Sequence, residues 1–233
     1  MKIRGESIMY ENQEWGEQAV TVSSSASLIN KVYGIMTVGL FVTALTAYYT
    51  AMNVMPDTIA SLYLPAVIFE FVLVLALSFL ATRMSGTVAF VCFLVYAVVN
   101  GFTLSTLLYA YSTTAIAKAF AVTGGTFGVM CLFGTVTRRD LSRLGGILFM
   151  ALIGIVIASL VNIFFRSTAL DFALSILGVL IFTGLTAYDA QKIRRMAEYG
   201  VTGGGIAVLG ALTLYLDFIN LFLYILRLFG RRK

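Results

Sequence analysis

The sequence predicts an all-α membrane protein, a bundle of seven transmembrane helices. Three observations carry that expectation. Of the 233 residues, 60% are hydrophobic and only 12% are charged, against about 25% charged in soluble domains. The apolar residues fall in runs near the roughly 20 residues that cross about 30 Å of hydrocarbon. The connections between runs are short, so no soluble domain fits between them and any chemistry lies inside the bundle.

Taken in order, residues 1–31 form a polar cytoplasmic tail with Glu6, Glu11, Glu14, Glu17 and a serine run at 23–25. The tail lacks the basic start, apolar stretch and cleavage site of a secretory signal peptide. The membrane domain covers residues 32–230, with spans at about 32–52, 62–81, 87–109, 116–136, 145–165, 170–190 and 206–229. The first carries Gly34 and Gly39, the fourth Gly124, Gly125 and Gly128, and the fifth Gly145, Gly146 and Gly154. Small residues at such spacings let helices approach closely. Tyr48, Tyr49, Tyr63, Tyr109 and Tyr111 stand near proposed boundaries, where aromatic rings anchor at the interface. Phe164 and Phe165 read as packing residues, and Ser112, Thr113 and Thr114 as a connection. The triplet Gly203-Gly204-Gly205 is the natural turn before the last span.

Lysine and arginine orient the bundle. The tail and the second, fourth and sixth connections hold Lys2, Arg4, Lys31, Arg83, Arg138, Arg139, Arg143, Lys192, Arg194 and Arg195. The other connections hold only Lys118 and Arg166, so the N-terminus is expected in the cytoplasm. Arg227, Arg231, Arg232 and Lys233 oppose that pattern if the last segment crosses. Either that segment is re-entrant, or the ten internal charges override the four; a crossing is favoured because early helices dominate.

Composition narrows the function. Histidine is absent, which removes the commonest general base and transition-metal ligand. Cys92 and Cys131 lie within apolar runs and read as packing rather than a disulfide framework. The net charge of +5 is dispersed between spans and forms no nucleic-acid patch. No nucleophile with a base, phosphate loop or dinucleotide fingerprint is present, and an enzyme is not expected. Intramembrane aspartyl proteases do use two aspartates, and Asp189 follows Tyr188 as in their first motif. Asp217 follows Tyr215-Leu216, however, without the Gly-x-Gly-Asp of the second.

The informative residues are acids inside spans, where a charge is disfavoured by about 2.5–3.5 kcal/mol or more. They are Glu70, Asp189 and Asp217. Plain packing roles compete with function for each: Asp189 near the headgroups, Glu70 bonded to a neighbouring helix, Asp217 fixing helix contacts. Residue 203, the midpoint between the aspartates, falls in the glycine turn, so on antiparallel helices both carboxyls stand at one height near the cytoplasmic side. In the last span Gly210, Thr213, Asp217, Asn220, Tyr224 and Arg227 recur at intervals of three and four and share one face. Two carboxyls meeting in a poorly hydrated site tend to share a proton. Such a dyad is a proton-responsive switch and an oxygen-rich stop for a hard cation such as Ca²⁺. Two carboxyls fall short of the six to eight oxygens of a storage site, so transient binding at Asp189 and Asp217 is expected.

At these residues the sequence resembles the Bax inhibitor-1 family, the transmembrane Bax inhibitor motif proteins. Leu185 to Ile193 reads Leu-Thr-Ala-Tyr-Asp-Ala-Gln-Lys-Ile, and Tyr215 to Phe222 reads Tyr-Leu-Asp-Phe-Ile-Asn-Leu-Phe. The likeness covers about residues 28–230, and the chain is similar to the bacterial members in its length, short tail and short connections. It implies a seven-helix fold with the last helix central, in a bacterial plasma (inner) membrane. It also implies a Ca²⁺ leak that responds to pH, with Asp189 and Asp217 as the proton switch and Glu70 as a pore-side acid. The ion path is expected along Glu70, Asn100, Thr213 and Asn220. A bacterial member carries a latch arginine at the cytoplasmic end of its second helix. By spacing from Glu70 that position is Ala81 here. Arg83 lies two residues on, about 200° around a helix, and could replace the latch only if the helix ends or unwinds there. The bilayer, Ca²⁺ and protons are the expected partners, with no resident cofactor. The alternative is a non-transporting regulator that binds a membrane protease, as some bacterial members do, gripped at the tail Met1–Lys31.

Overall fold

The computed structural model describes residues 3–201 and 203–230, with side chains from Ser27 onward. The helices are α1 (Ile3–Asn53), α2 (Pro56–Leu80), α3 (Gly86–Leu104), α4 (Thr106–Ala110), α5 (Thr113–Val136), α6 (Ser142–Phe165), α7 (Thr168–Glu198) and α8 (Gly204–Phe229). Seven segments are long and apolar enough to cross a membrane; the first is Ser27–Asn53, and α3 with α4 make the single span Gly86–Ala110. No strand forms among the described residues. The acids and serines of the tail before residue 27 lie outside the described side chains.

Local chemistry sets the ends. Near the start of the described side chains, Leu28 and Val32, one turn apart, are both buried in the core. Helix α2 begins at Pro56, six residues before the expected start, with proline in its first turn and Asp57 beside it. A proline loses no bond there, and an acid suits the positive end of the helix. Ser85, Ser112 and Ser167 cap α3, α5 and α7 through their hydroxyl oxygens, which accept from Val88, Ala115 and Leu170 N–H groups. Ser112, expected only as a connection, is therefore a helix cap.

Helix α7 runs to Glu198, beyond the expected 190, and stops at a left-handed glycine. Gly200 has φ +66; its N–H donates to Ala197 O at 3.1 Å and the Val201 N–H to Met196 O at 3.0 Å. This paired closure is a Schellman motif. The turn thus begins at Gly200, and Gly204 and Gly205 already belong to α8.

Helix α8 crosses the whole bundle. Its first turn lies against the 3₁₀ turn Ala81–Arg83 and the start of α3: a Cβ at Gly205 would strike the Ala81 carbonyl oxygen, and one at Gly204 the Gly86 backbone. Its far end, at Gly230, lies against the Tyr111 ring beyond α4. The 26 residues of α8 extend about 39 Å. The last segment is not re-entrant.

Helix α8 packs on α1, α3, α5 and α7, and its Ala211, Leu214, Tyr215 and Leu221 are fully buried. Helix α6 is the opposite case, with only Gly145 and Ile155 buried. Phe164 is 86% exposed and Phe165 76%, so these two rings face the bilayer at the end of α6 instead of packing inside the protein.

Candidate functional site

The buried face of α7 carries Leu185, Thr186, Asp189, Ala190 and Ile193, and the facing part of α8 carries Leu214, Asp217, Phe218 and Leu221. Helix α5 approaches α7 closely: a Cβ at Gly134 would strike the Ala187 carbonyl oxygen. Two aspartates are thereby held inside a three-helix contact. Asp189 is 8% exposed and Asp217 5%, and their carboxyls lie within hydrogen-bond reach of each other. No N–H or O–H of the described residues reaches Asp217 Oδ2, which is buried. A buried carboxylate oxygen without a donor costs about 1–3 kcal/mol or more. One proton held between the two carboxyls removes that cost and also the repulsion of paired negative charges.

The surroundings of the dyad are mostly apolar. Cys131 of α5 is buried near Asp217, with Tyr33 of α1 beside it. Lys192, one turn beyond Asp189, is the cation that acts on it. Further along α5 and α8, Phe127 and Phe120 each meet Phe218 edge-on at 5.4 Å. An aromatic cluster therefore borders the acids on the side away from the α7–α8 turn.

Glu70 belongs to a second, separate cluster. Thr103 Oγ1 donates to Glu70 Oε2 at 3.0 Å, Tyr96 Oη donates to Glu70 Oε1 at 3.4 Å, and Asn100 Nδ2 donates to Glu70 Oε1 as well. Asn100 Oδ1 accepts from the Tyr215 hydroxyl at 2.8 Å, and that hydroxyl meets Thr43 Oγ1 at 2.6 Å. Four spans are joined here, α2 through Glu70, α3 through Asn100, α8 through Tyr215 and α1 through Thr43. Tyr215 and Asp217 are two residues apart, about 200° around α8. The glutamate cluster and the aspartate pair thus occupy different faces of one helix.

The family model described as "Inhibitor of apoptosis-promoting Bax1" matches residues 25–233. The chain belongs to the Bax inhibitor-1 family. It is 46% identical over 212 residues to "Inner membrane protein YbhL" of Escherichia coli (strain K12), across 87% of this chain and 91% of that protein. A Deinococcus radiodurans protein is 43% identical over 219 residues, covering 92% and 95% of the two chains. One from Borreliella burgdorferi is 44% identical over 214 residues, covering 87% and 91%.

Within this Bax inhibitor-1 member, the residues singled out in the sequence divide into three groups. Asp189 meets Asp217, and Glu70 meets Asn100, as described above. Among the described residues Thr213 and Asn220 hydrogen-bond to neither cluster: Thr213 Oγ1 donates to Leu209 O at 3.0 Å and Asn220 Nδ2 to Leu216 O at 2.8 Å, each one turn back on α8. Arg83 is exposed on the 3₁₀ turn Ala81–Arg83. The α-helix does end where a substitute latch would require, yet no ion pair joins Arg83 to Asp189 among the described residues.

Sequence reasoning missed Tyr215, Tyr96, Thr103 and Thr43, whose side chains read as ordinary apolar or helix-surface positions. It also missed Gln191, which is 2% exposed. Its Oε1 accepts from Leu141 N–H at 2.9 Å and its Nε2 donates to Arg139 O at 2.8 Å. Gln191 therefore straps the α5–α6 connection to α7 beside the dyad. The only signal in the sequence was a glutamine two residues from Asp189 within the Leu185 to Ile193 string.

Proposed function

We propose that this Bax inhibitor-1 family protein is a proton-gated cation leak of a bacterial inner membrane, with Ca²⁺ as the ion. One observation carries the reading: Asp189 and Asp217 meet inside the bundle, where Asp217 Oδ2 has no donor among the described residues. Protonated once, the pair is a closed hydrogen-bonded contact between α7 and α8. Deprotonated, it becomes two like charges that must part, admit water or take up a cation. Where α8 is the helix that shifts, the parting also disturbs the contacts of Phe218 with Phe127 and Phe120 of α5, rings that border the acids. The apolar surroundings of the dyad support this, because a low-dielectric site makes the change of one proton mechanically costly. The inner-membrane assignment rests on the name of the Escherichia coli relative.

Ca²⁺ is the cargo of such a leak and not a resident cofactor. Two carboxyls pass a cation onward and do not store it. A leak of this kind has no reaction to catalyse.

Reconstituted protein tests it. Ca²⁺ entry into liposomes, measured from about pH 6 to about pH 8, should vary with pH in the wild type, because a proton moves on a buried pair. The Asp189→Asn, Asp217→Asn double variant should give a flat profile. An unchanged pH profile in that variant, with the protein still folded, would refute the gate.

A further inference from the structure

At the end of the bundle where α6 stops and α7 begins, a cleft of about 490 Å³ opens between α6, α7 and α8. Its wall includes Val156, Leu160 and Asn162 of α6, Asp171 of α7, and Tyr224 and Arg227 of α8. Asp171 stands in the first turn of α7 and Arg227 in the last turn of α8. A crossing helix of about 39 Å exceeds the roughly 30 Å of hydrocarbon, so these end turns lie at headgroup depth. From Asn162 back to Val156 the cleft follows α6 inward for about 9 Å. It therefore starts among headgroups and ends among acyl chains. Beside it Leu160 is 56% and Ile163 64% exposed, as expected of side chains that border lipid.

The charges at its mouth are paired loosely. Arg227 Nη1 lies 3.3 Å from Asp171 Oδ1, with the two side chains 39% and 40% exposed. Arg227 sits 5.6 Å above the Tyr224 ring, which packs tightly over Gly178 and stacks on Phe182 at 5.8 Å. The guanidinium is thus placed by a ring that is itself fixed on two sides. It carries five N–H donors, of which one is directed to Asp171. Among the described lining residues the mouth holds one cation and one anion, which balance formally. An anionic headgroup would meet an arginine already balanced and a carboxylate that repels it. A zwitterion with a phosphate and an ammonium matches both charges at once, and a primary ammonium can hydrogen-bond to the carboxylate.

We propose that the Asp171–Arg227 cleft binds a phospholipid with a phosphoethanolamine headgroup, its phosphate at Arg227 and its ammonium at Asp171, with one acyl chain along α6 over Leu160. The bound lipid ties together the far ends of the two helices that carry Asp189 and Asp217. The binding itself does not depend on ion conduction.

Native mass spectrometry of the full chain in mild detergent tests this. Phosphatidylethanolamine and phosphatidylglycerol with matched acyl chains are supplied in competition. The wild type should retain the ethanolamine lipid about tenfold better, a difference near 1.4 kcal/mol. Arg227→Gln should abolish that retention, and Asp171→Asn should turn the preference toward the glycerol lipid by freeing the arginine charge. Leu160→Trp leaves the ion pair alone and sits on the lipid-facing wall, away from the core; it should weaken retention of both lipids. Equal retention of the two lipids by the wild type would overturn the proposal without any variant. Full retention by Leu160→Trp, or an unchanged preference in Asp171→Asn, would overturn it as well.

Discussion

Single residues decide how polar groups survive inside this bundle. The Tyr215 hydroxyl donates to Asn100 Oδ1 at 2.8 Å and meets Thr43 Oγ1 at 2.6 Å, while its ring packs edge-on to Phe93 at 5.4 Å and to Tyr96 at 5.8 Å. Tyr215→Phe keeps the ring contacts and deletes the hydroxyl, leaving Asn100 Oδ1 buried without its donor. A loss of about 1–3 kcal/mol is expected, read as a fall of several degrees in the melting temperature of the detergent-solubilised protein. An unchanged melting temperature would show that the Glu70 cluster does not brace α8. Asp189, Asp217 and Glu70 were legible in the sequence, because a carboxyl in an apolar run has few inexpensive explanations. Tyr215 was not. A tyrosine suits an apolar helix face, and its hydroxyl partners come from α1 and α3, far away in the chain. Thr213 and Asn220 share the Asp217 stripe and donate to their own helix backbone, as isolated polar side chains in an apolar setting commonly do.

At the scale of elements, helix identity was legible and helix ends were not. Hydropathy marks what enters the membrane, whereas Pro56, Ser112 and Gly200 set ends through caps that hydropathy ignores. The end of α7 nearest Gly200 shows the consequence. Arg194 and Arg195 read as orienting charges, yet Arg195 Nη2 donates to Asp140 Oδ1 at 2.8 Å and Arg194 donates to the Thr135 carbonyl oxygen. With Gln191 they fasten residues 135–142 to α7. Asp140 accepts from the Ser142 side chain and N–H at 2.7 and 2.9 Å; these bonds first, then Arg195, hold its carboxyl down at about 2. A depressed folded value stabilises the ionised form, so the contribution is complete above the ordinary carboxylate range near about 4. It is lost as pH falls from there through about 2. Amide exchange in residues 138–142, corrected for intrinsic rates, should stay protected from neutral pH down to that range and rise below it. Asp140→Asn should exchange several-fold faster already at neutral pH. Equal protection in that variant would mean that the strap rests on Gln191 and Arg194 without the Asp140–Arg195 pair.

For the whole molecule, the direction of α8 decides where the chain ends. Positive charge by itself left two readings, a seventh crossing or a segment that returns to its own side. The contacts of its two ends remove the second: Gly205 abuts Ala81 at one end of α3, and Gly230 abuts Tyr111 past the other. Seven crossings put the two termini on opposite membrane faces. The basic residues that seem to oppose this are weaker than their number suggests, because Arg227 is paired with Asp171. The cluster Arg138, Arg139 and Arg143 and the cluster Lys192, Arg194 and Arg195 fall together on the other side, with the first connections of the chain setting the orientation before α8 is made. Alkaline phosphatase fused after Lys233 should therefore be active outside the cytoplasm, and a fluorescent protein fused there should stay dark. Fusions ahead of Met1 should behave in the reverse way. A fluorescent C-terminal fusion would mean that α8 turns back in the living membrane, and Asp217 would then stand at a different height from Asp189.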